Sequence, residues 1–172
     1  GGIVDQTRTI NFETVADVKV VNGVSPYSGN NYSVLLNGST DYLTFNPGTT
    51  FQFGSSIDFT IEMWIYPTTT LTTQYLIDMR TAAASNGFAL AYGPNVSGRL
   101  TWYNQSGNLI TENAAYTKIG QWNHIAYVRY NNVGRLLING VMVNISVADT
   151  TNYNNTNTTA YIGSRFDQNS TV

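Results

Sequence analysis

Hydrophobic and polar residues alternate along most of this chain in runs of four to eight, and each run is closed by Gly, Asn, Pro or Ser. That is the period of a half-buried strand, and no segment sustains the three-to-four spacing of a helical stripe. The pattern predicts strands at Ser33 to Leu36, Tyr42 to Phe45, Phe59 to Tyr66, Tyr75 to Met79, Phe88 to Tyr92, Arg99 to Tyr103, Asn108 to Glu112, Trp122 to Tyr130, Arg135 to Ile138, Val141 to Val147 and Ala160 to Gly163. So many short strands bury their apolar faces by stacking as two sheets, so the expected class is all-β, an antiparallel sandwich.

Turn chemistry marks the divisions. Asn37-Gly38, Gly93-Pro94, Ser106-Gly107 and Asn139-Gly140 fall between β runs, and Asn-Gly is the strongest two-residue hairpin signal because both residues accept positive φ. Pro47 has no amide proton to donate, so Asn46-Pro47-Gly48 closes a strand. Phase assigns faces. Phe59, Ile61, Met63 and Ile65 share one apolar face, while Trp64 and Tyr66 make the other partly apolar, which predicts a central strand. In Trp122 to Tyr130, Trp122, His124, Ala126 and Val128 read as the core set, leaving Ile125, Tyr127 and Arg129 on the opposite face. Asp149 to Thr159, rich in Asn and Thr without periodicity, reads as a long exposed loop that is mobile unless a partner or ion orders it.

With 172 residues, one domain is expected. Charged residues are 10% of the chain and aromatics 13%, 12 of them tyrosine, so the polar surface is built from Asn, Thr, Ser and Gln. Such a surface suits extracellular or virion-exposed β proteins. A net charge of -2 with no Lys/Arg cluster leaves nothing to neutralise a run of phosphates, which argues against nucleic acid as partner. The absence of Cys removes disulfides, thiolate metal sites and cysteine nucleophiles. No apolar run reaches the ~20 residues of a spanning helix, so no membrane insertion is expected. Gly at position 1 suggests a piece of a longer polypeptide.

Three segments carry a family likeness. Ser33 to Phe45 (SVLLNGSTDYLTF), Asp58 to Pro67 (DFTIEMWIYP) and Gln121 to Gly140 (QWNHIAYVRYNNVGRLLING), followed by AYIG at Ala160 to Gly163, resemble in order and spacing the laminin-G-like domains of the concanavalin A-like lectin and glucanase superfamily. The resemblance implies a jelly-roll sandwich over residues 33–172, after a lead-in over residues 1–32 that holds one strand. Similar domains recur in bacterial surface proteins and in tail-fibre and other structural proteins of marine bacteriophages. The family closes with one further strand, F-x-G-x-I-D-x-V-R-I, where this chain reads Asn169-Ser170-Thr171-Val172. The expectation is that this strand follows in the parent polypeptide, or that another chain or the residues around Thr9 to Val15 take its place.

Glucanases of the superfamily place alternate carboxylates on one strand as E-x-D-x-E. Here Glu62 and Asp78 each stand alone among apolar residues, which does not support paired-carboxylate hydrolysis, and His124 reads as a framework histidine rather than a base. Laminin-G-like domains often hold one Ca²⁺ through loop oxygens. Asp41, Asp149 and Asp167 are the candidate ligands, each equally able to form an Asx turn. Tyr92, Trp102, Tyr103, Tyr127 and Tyr153, with Arg129, are the candidates for a glycan platform; their alternative is cross-strand packing. The function expected is non-enzymatic. It is a binding or structural module of a virion (tail fibre, capsid decoration) or cell-surface protein, adhering to glycans or contacting neighbouring subunits. The competing expectation is an accessory carbohydrate-binding domain of a polysaccharide-acting enzyme.

Overall fold

The computed structural model describes residues 3, 5, 7, 9–29, 31–69, 73–83, 85–93, 98–144, 147–154 and 156–167. Among them the chain forms strands and no helix: β1 (Phe12–Val15), β2 (Lys19–Asn22), β3 (Tyr32–Leu35), β4 (Tyr42–Phe45), β5 (Phe59–Ile65), β6 (Gln74–Asp78), β7 (Ala89–Gly93), β8 (Arg99–Asn104), β9 (Gly107–Thr111), β10 (Asn123–Tyr130), β11 (Val133–Ile138), β12 (Val141–Met142), β13 (Val147–Ala148) and β14 (Ala160–Ile162). No helix there is long and apolar enough to cross a membrane. One sheet runs β1-β4-β14-β6-β7-β8-β9, and the second runs β12-β11-β10-β5 with β13 joined to β11. Strands β2 and β3 form a separate ribbon. Every ladder is antiparallel.

The turns follow their residues. Asn139 and Gly140 adopt φ of 50° and 78°, the double left-handed geometry of a tight hairpin between β11 and β12. Asn131 and Asn132, at 51° and 58°, make a second such hairpin between β10 and β11 that the sequence reading passed over. Between β8 and β9 the turn is Gln105 and Ser106, with Gly107 opening β9 at φ 109°. Asn37-Gly38 is not a hairpin: the Asn37 side-chain oxygen accepts the N–H groups of Ser39, Thr40 and Asp41, turning the chain from the ribbon into β4. Pro94 of the expected Gly93-Pro94 turn lies outside the described residues. The expected Val141 to Val147 strand is two short ones, β12 and β13.

The core lies between the two sheets. Trp102 from β8 stacks on Tyr127 from β10 at 3.8 Å between ring centroids and on Phe88 at 4.5 Å, with Phe59 and Tyr153 around them. Leu90, Leu100, Ile125 and Leu136 complete a fully buried layer.

The phase of β10 is the reverse of that read from sequence. Asn123, Ile125, Tyr127 and Arg129 point inward and are buried, while Trp122, His124 and Val128 are partly exposed on the outer face. The error has a physical source, because the inward set contains two polar residues whose heads reach loop backbone at the strand ends. Asn123 accepts from Lys118 N–H and donates to the carbonyls of Lys118 and Gln121. Arg129 donates to the carbonyls of Ile57, Thr151 and Gly54. A count of apolar residues therefore favoured the wrong face.

Strand β5 keeps its expected phase, Phe59, Ile61, Met63 and Ile65 facing the core, but it is not central. Among the described residues its one strand partner is β10, and Phe12–Val15 pairs with β4 instead of filling the other side. Ile61, Met63 and Ile65 are consequently only half-buried, in contrast to Ile125 and Tyr127 alongside them.

Candidate functional site

The aromatic residues nominated from sequence do not form a surface platform. Tyr92, Trp102, Tyr127, Arg129 and Tyr153 are each no more than 1% exposed, and Tyr103 is also buried. The first five belong to the interior. Tyr153 Oη accepts a hydrogen bond from Trp102 Nε1 (3.0 Å) and donates to the Asp149 carboxylate, which also accepts from Tyr127 Oη at 2.6 Å and from Thr151 N–H. Arg129 lies 3.8 Å from Asp149 and over the rings of Phe59 and Tyr153. Each buried polar group here meets a partner, so the charges are tolerated in a low-dielectric setting. In the Asp149 to Thr159 loop, Asp149 and Tyr153 are buried within this network, while Thr150, Asn152, Asn154, Thr156 and Thr158 are exposed. Tyr103 sits on the outer face of the seven-stranded sheet with Tyr75, Ala89 and Ala91, beside the buried Arg80–Asp78 pair. Asp78 outweighs the cost of burial on Arg80 and holds the guanidinium pKa above its ordinary value.

Burial, reinforced by the negative charge of Asp149, pushes the Tyr153 hydroxyl up to about 12 against the opposing hydrogen bond from Trp102, and the Tyr127 hydroxyl rises further for the same first cause. An acid whose folded pKa is raised contributes stability that is whole below the unfolded value of 10 and fades as pH climbs to the folded one. Stability is therefore expected to drop between pH 10 and 12, by roughly 2–3 kcal/mol from Tyr153 alone. Thermal melts from pH 8 to 11.5 check this, and Tyr153→Phe should flatten the alkaline slope.

What the surface does present is the outer face of β5 and β10. Trp64 lies directly across from His124 and Ala126 across from Glu62. Tyr27, Trp64 and Tyr66 are 62%, 39% and 42% exposed. Tyr27, at the tip of the β2–β3 ribbon, meets Trp64 edge-on at 6.0 Å; Trp64 lies against His124 at 5.1 Å; Trp122 meets Tyr66 at 5.5 Å. Among these rings His124 Nε2 stands 3.3 Å from the Glu62 carboxylate. The result is a strip of partly exposed rings carrying one acceptor and one imidazole, on a sheet face that ordinarily would be polar. Sequence reasoning noted Trp64 and Tyr66 but assigned Trp122 and His124 to the core. The available signal was the cross-strand match of two aromatic-bearing strands in a single phase.

The carboxylates do not converge. Glu62 is on the outer face of the five-stranded sheet, and Asp78 is buried against Arg80 in the other sheet. Glu112, also buried, accepts from the N–H groups of Leu100, Tyr116 and Thr117 and from the Thr117 hydroxyl. Among the metal candidates, Asp41 accepts from Asp17 N–H, Asp149 is held as described, and Asp167 pairs with Arg165 at 3.3 Å. Among the described residues no three His, Asp or Glu side chains gather as a metal site.

The described residues form two antiparallel sheets packed around an aromatic core, with a strip of partly exposed rings on the outer face of the five-stranded sheet. The family model of the concanavalin A-like lectin/glucanases superfamily, Laminin_G_3, matches residues 37–172, and the chain belongs to that family. No curated protein sequence matches it significantly. Among solved structures it is similar to domain 4 of AbnA, a GH43 extracellular arabinanase from Geobacillus stearothermophilus, in complex with arabinotriose. That likeness has a TM-score of 0.61 at 15% identity and covers 92% of this chain and 76% of that one. It is also similar to a mutant of HCR/D (TM-score 0.60, 13% identity, 94% of this chain and 44% of that one) and to a structure described as the receptor binding domain (0.54, 12%, 92% and 41%). At these identities the likeness establishes the fold. The chain spans less than half the length of the latter two.

Proposed function

We propose that this domain is a non-enzymatic carbohydrate-recognition module whose contact surface is the strip formed by Tyr27, Trp64, Tyr66 and Trp122 around Glu62 and His124. The observation that carries the reading is the outward presentation of these rings beside a hydrogen-bonding pair. Sugar rings have apolar C–H faces that cover an exposed aromatic and an equatorial fringe of hydroxyls that a carboxylate and an imidazole can bind. The arabinotriose complex of the similar AbnA domain supports the same use of the fold. Glu62 and Asp78, the two carboxylates weighed for paired-acid hydrolysis, lie on different sheets, which supports the non-enzymatic reading.

The module serves adhesion as part of a larger virion protein, such as a tail fibre or capsid decoration, or of a cell-surface protein, where a neutral Asn/Thr/Ser exterior is suited to contact. An accessory place beside a polysaccharide-acting catalytic domain is the competing context, favoured by the arabinanase likeness, and the sequence flanking this chain separates the two. A strand supplied by the parent polypeptide or a partner completes the sandwich at the edge of β5 that has no strand partner among the described residues. It should slow hydrogen exchange at the β5 amides in the intact protein relative to the isolated domain, and equal exchange would remove that element.

A glycan array followed by calorimetry tests the central reading. Trp64→Ala is expected to weaken the best ligand at least tenfold with the melting temperature within a few degrees of the parent. Binding that survives Trp64→Ala and Trp122→Ala, or no glycan bound at millimolar concentration, overturns it. Because the strip works through aromatic, carboxylate and imidazole groups, chelation with EDTA should leave the affinity unchanged. A loss on chelation would instead assign a Ca²⁺-dependent mode to Asp41, Asp149 or Asp167.

A further inference from the structure

Strand β5 is the longest edge strand among the described residues, seven residues against four in β1, five in β9 and two in β12. It pairs with β10 without a register shift, and Phe59–Ile65 contains no Pro, Gly or Lys. Bulges, prolines and lysines are the devices that keep an edge from pairing with another chain, so this edge is open to pairing. The direction of its backbone groups follows from β10. His124 donates its N–H to Asn139 Oδ1 at 2.9 Å, and its carbonyl accepts from Asn139 N–H at 2.7 Å, so both groups face β11. Alternation along the strand then turns Asn123, Ile125, Tyr127 and Arg129 toward β5, in hydrogen-bonded pairs with Ile65, Met63, Ile61 and Phe59. The N–H and C=O groups of Thr60, Glu62 and Trp64 are left facing the open edge.

Such a strand can pair with its own copy across a two-fold axis, provided that hydrogen-bonded partners are both drawn from the outward-facing set of Thr60, Glu62 and Trp64 or its continuation at Tyr66. Three registers of this kind pair most of the strand. Centring on Glu62 sets that carboxylate against its copy, and like charges directly opposite destabilise a ladder. Centring on Ile61 leaves Trp64 and Ile65 beyond the paired strand. Centring on Met63 places Glu62 opposite the second copy's Trp64, Ile61 opposite Ile65, and Met63 against its copy, so the three half-buried apolar residues of the inner face are all covered. That register leaves over Thr60 and Phe59, and Phe59 is 9% exposed and needs no cover. We infer that two copies of this chain pair antiparallel through β5, centred on Met63, and join their five-stranded sheets into one. Glu62 and Trp64 of both copies then surround the axis on a common outer face, so each copy contributes its Trp64 to the other's recognition surface. That consequence rests on the proposed role of the strip; the pairing itself does not.

The chain contains no Cys, so single introduced cysteines report the pairing without background. Met63→Cys sets two thiols across a non-hydrogen-bonded pair with Cα atoms about 4.5 Å apart, inside the range that a disulfide spans. Ile61→Cys, half-buried on the same face, lies four residues along, roughly 13–14 Å from its own copy. Mild oxidation of the full chain is expected to link Met63→Cys into a covalent dimer at least tenfold faster than Ile61→Cys. Sedimentation equilibrium of the parent chain should show a reversible dimer that Thr60→Pro weakens at least tenfold, because the lost N–H faces the edge and takes no bond from β10. Should proline disturb the fold, the cysteine pair reads the register without it. A chain that sediments as a monomer at every concentration, a dimer indifferent to Thr60→Pro in a folded variant, or equal linking of the two cysteines would overturn the assignment. A monomer that still binds glycan removes the pairing and leaves the strip in place, whereas a dimer that binds none does the reverse.

Discussion

Arg129→Ala should melt about 10 °C or more below the parent protein. The guanidinium donates to three loop carbonyls, those of Ile57, Thr151 and Gly54, lies over the rings of Phe59 and Tyr153, and is wholly buried. Truncation strips those carbonyls of their donor, leaves the equally buried Asp149 without its positive neighbour, and opens a cavity beside the aromatic core. Breaking a buried pair from one side costs about 3–5 kcal/mol, and a protein of this size loses ~2–4 °C per kcal/mol. Arg129→Lys should recover only a small part, because a single ammonium cannot span three carbonyls in three directions. Differential scanning calorimetry of the three proteins measures the effect. A loss under 3 °C for alanine would mean that the network contributes little.

Gly134→Val should be comparably damaging for the opposite reason. Gly134 pairs with Arg129 across β10 and β11, and a Cβ built on it would run into the Tyr127 hydroxyl and approach its Cζ at 3.0 Å. Tyr127 cannot yield, being stacked on Trp102 and hydrogen-bonded to Asp149. Crowding a packed core costs about 1–3 kcal/mol, and more where the neighbour is fixed. Gly134→Ala should fall short of valine, and in the double variant with Tyr127→Phe, which removes the colliding oxygen, the alanine cost should shrink. Additive losses in that cycle would show that the clash is not with the phenol.

Much of the fold was legible from alternation and turn residues. Apart from Val141 to Val147, which is two short strands, the strands from Tyr42 to Ile162 emerged within a residue or two because their apolar runs are bounded by Asn, Gly or Pro, and the Asn139–Gly140 hairpin emerged because both residues accept positive φ. What stayed hidden was tertiary. Strands β1 and β2 were not resolved as separate elements, since four-residue strands with one apolar face half-exposed carry little periodicity. The faces of β10 were inverted because Asn123 and Arg129 are buried polar residues, the first satisfied by the loop just before its strand and the second by loops far away in sequence, information that a hydrophobic count does not contain. That single inversion carried the site with it: it sent Tyr127 and Arg129 outward on paper and hid Trp122 and His124. Asp149 followed the same logic, an acid that resembles a loop ligand in sequence and is in fact the acceptor for two core tyrosines.

The most direct test of the proposed recognition surface is a backbone NMR titration of the isotopically labelled chain with the tightest glycan from the array. Perturbations should cluster along Thr60 to Tyr66, Trp122 to Ala126 and around Tyr27, leaving Ala89 to Gly93 in the opposite sheet silent. Shifts concentrated on the seven-stranded sheet, with Trp64 and His124 unmoved, would contradict the account.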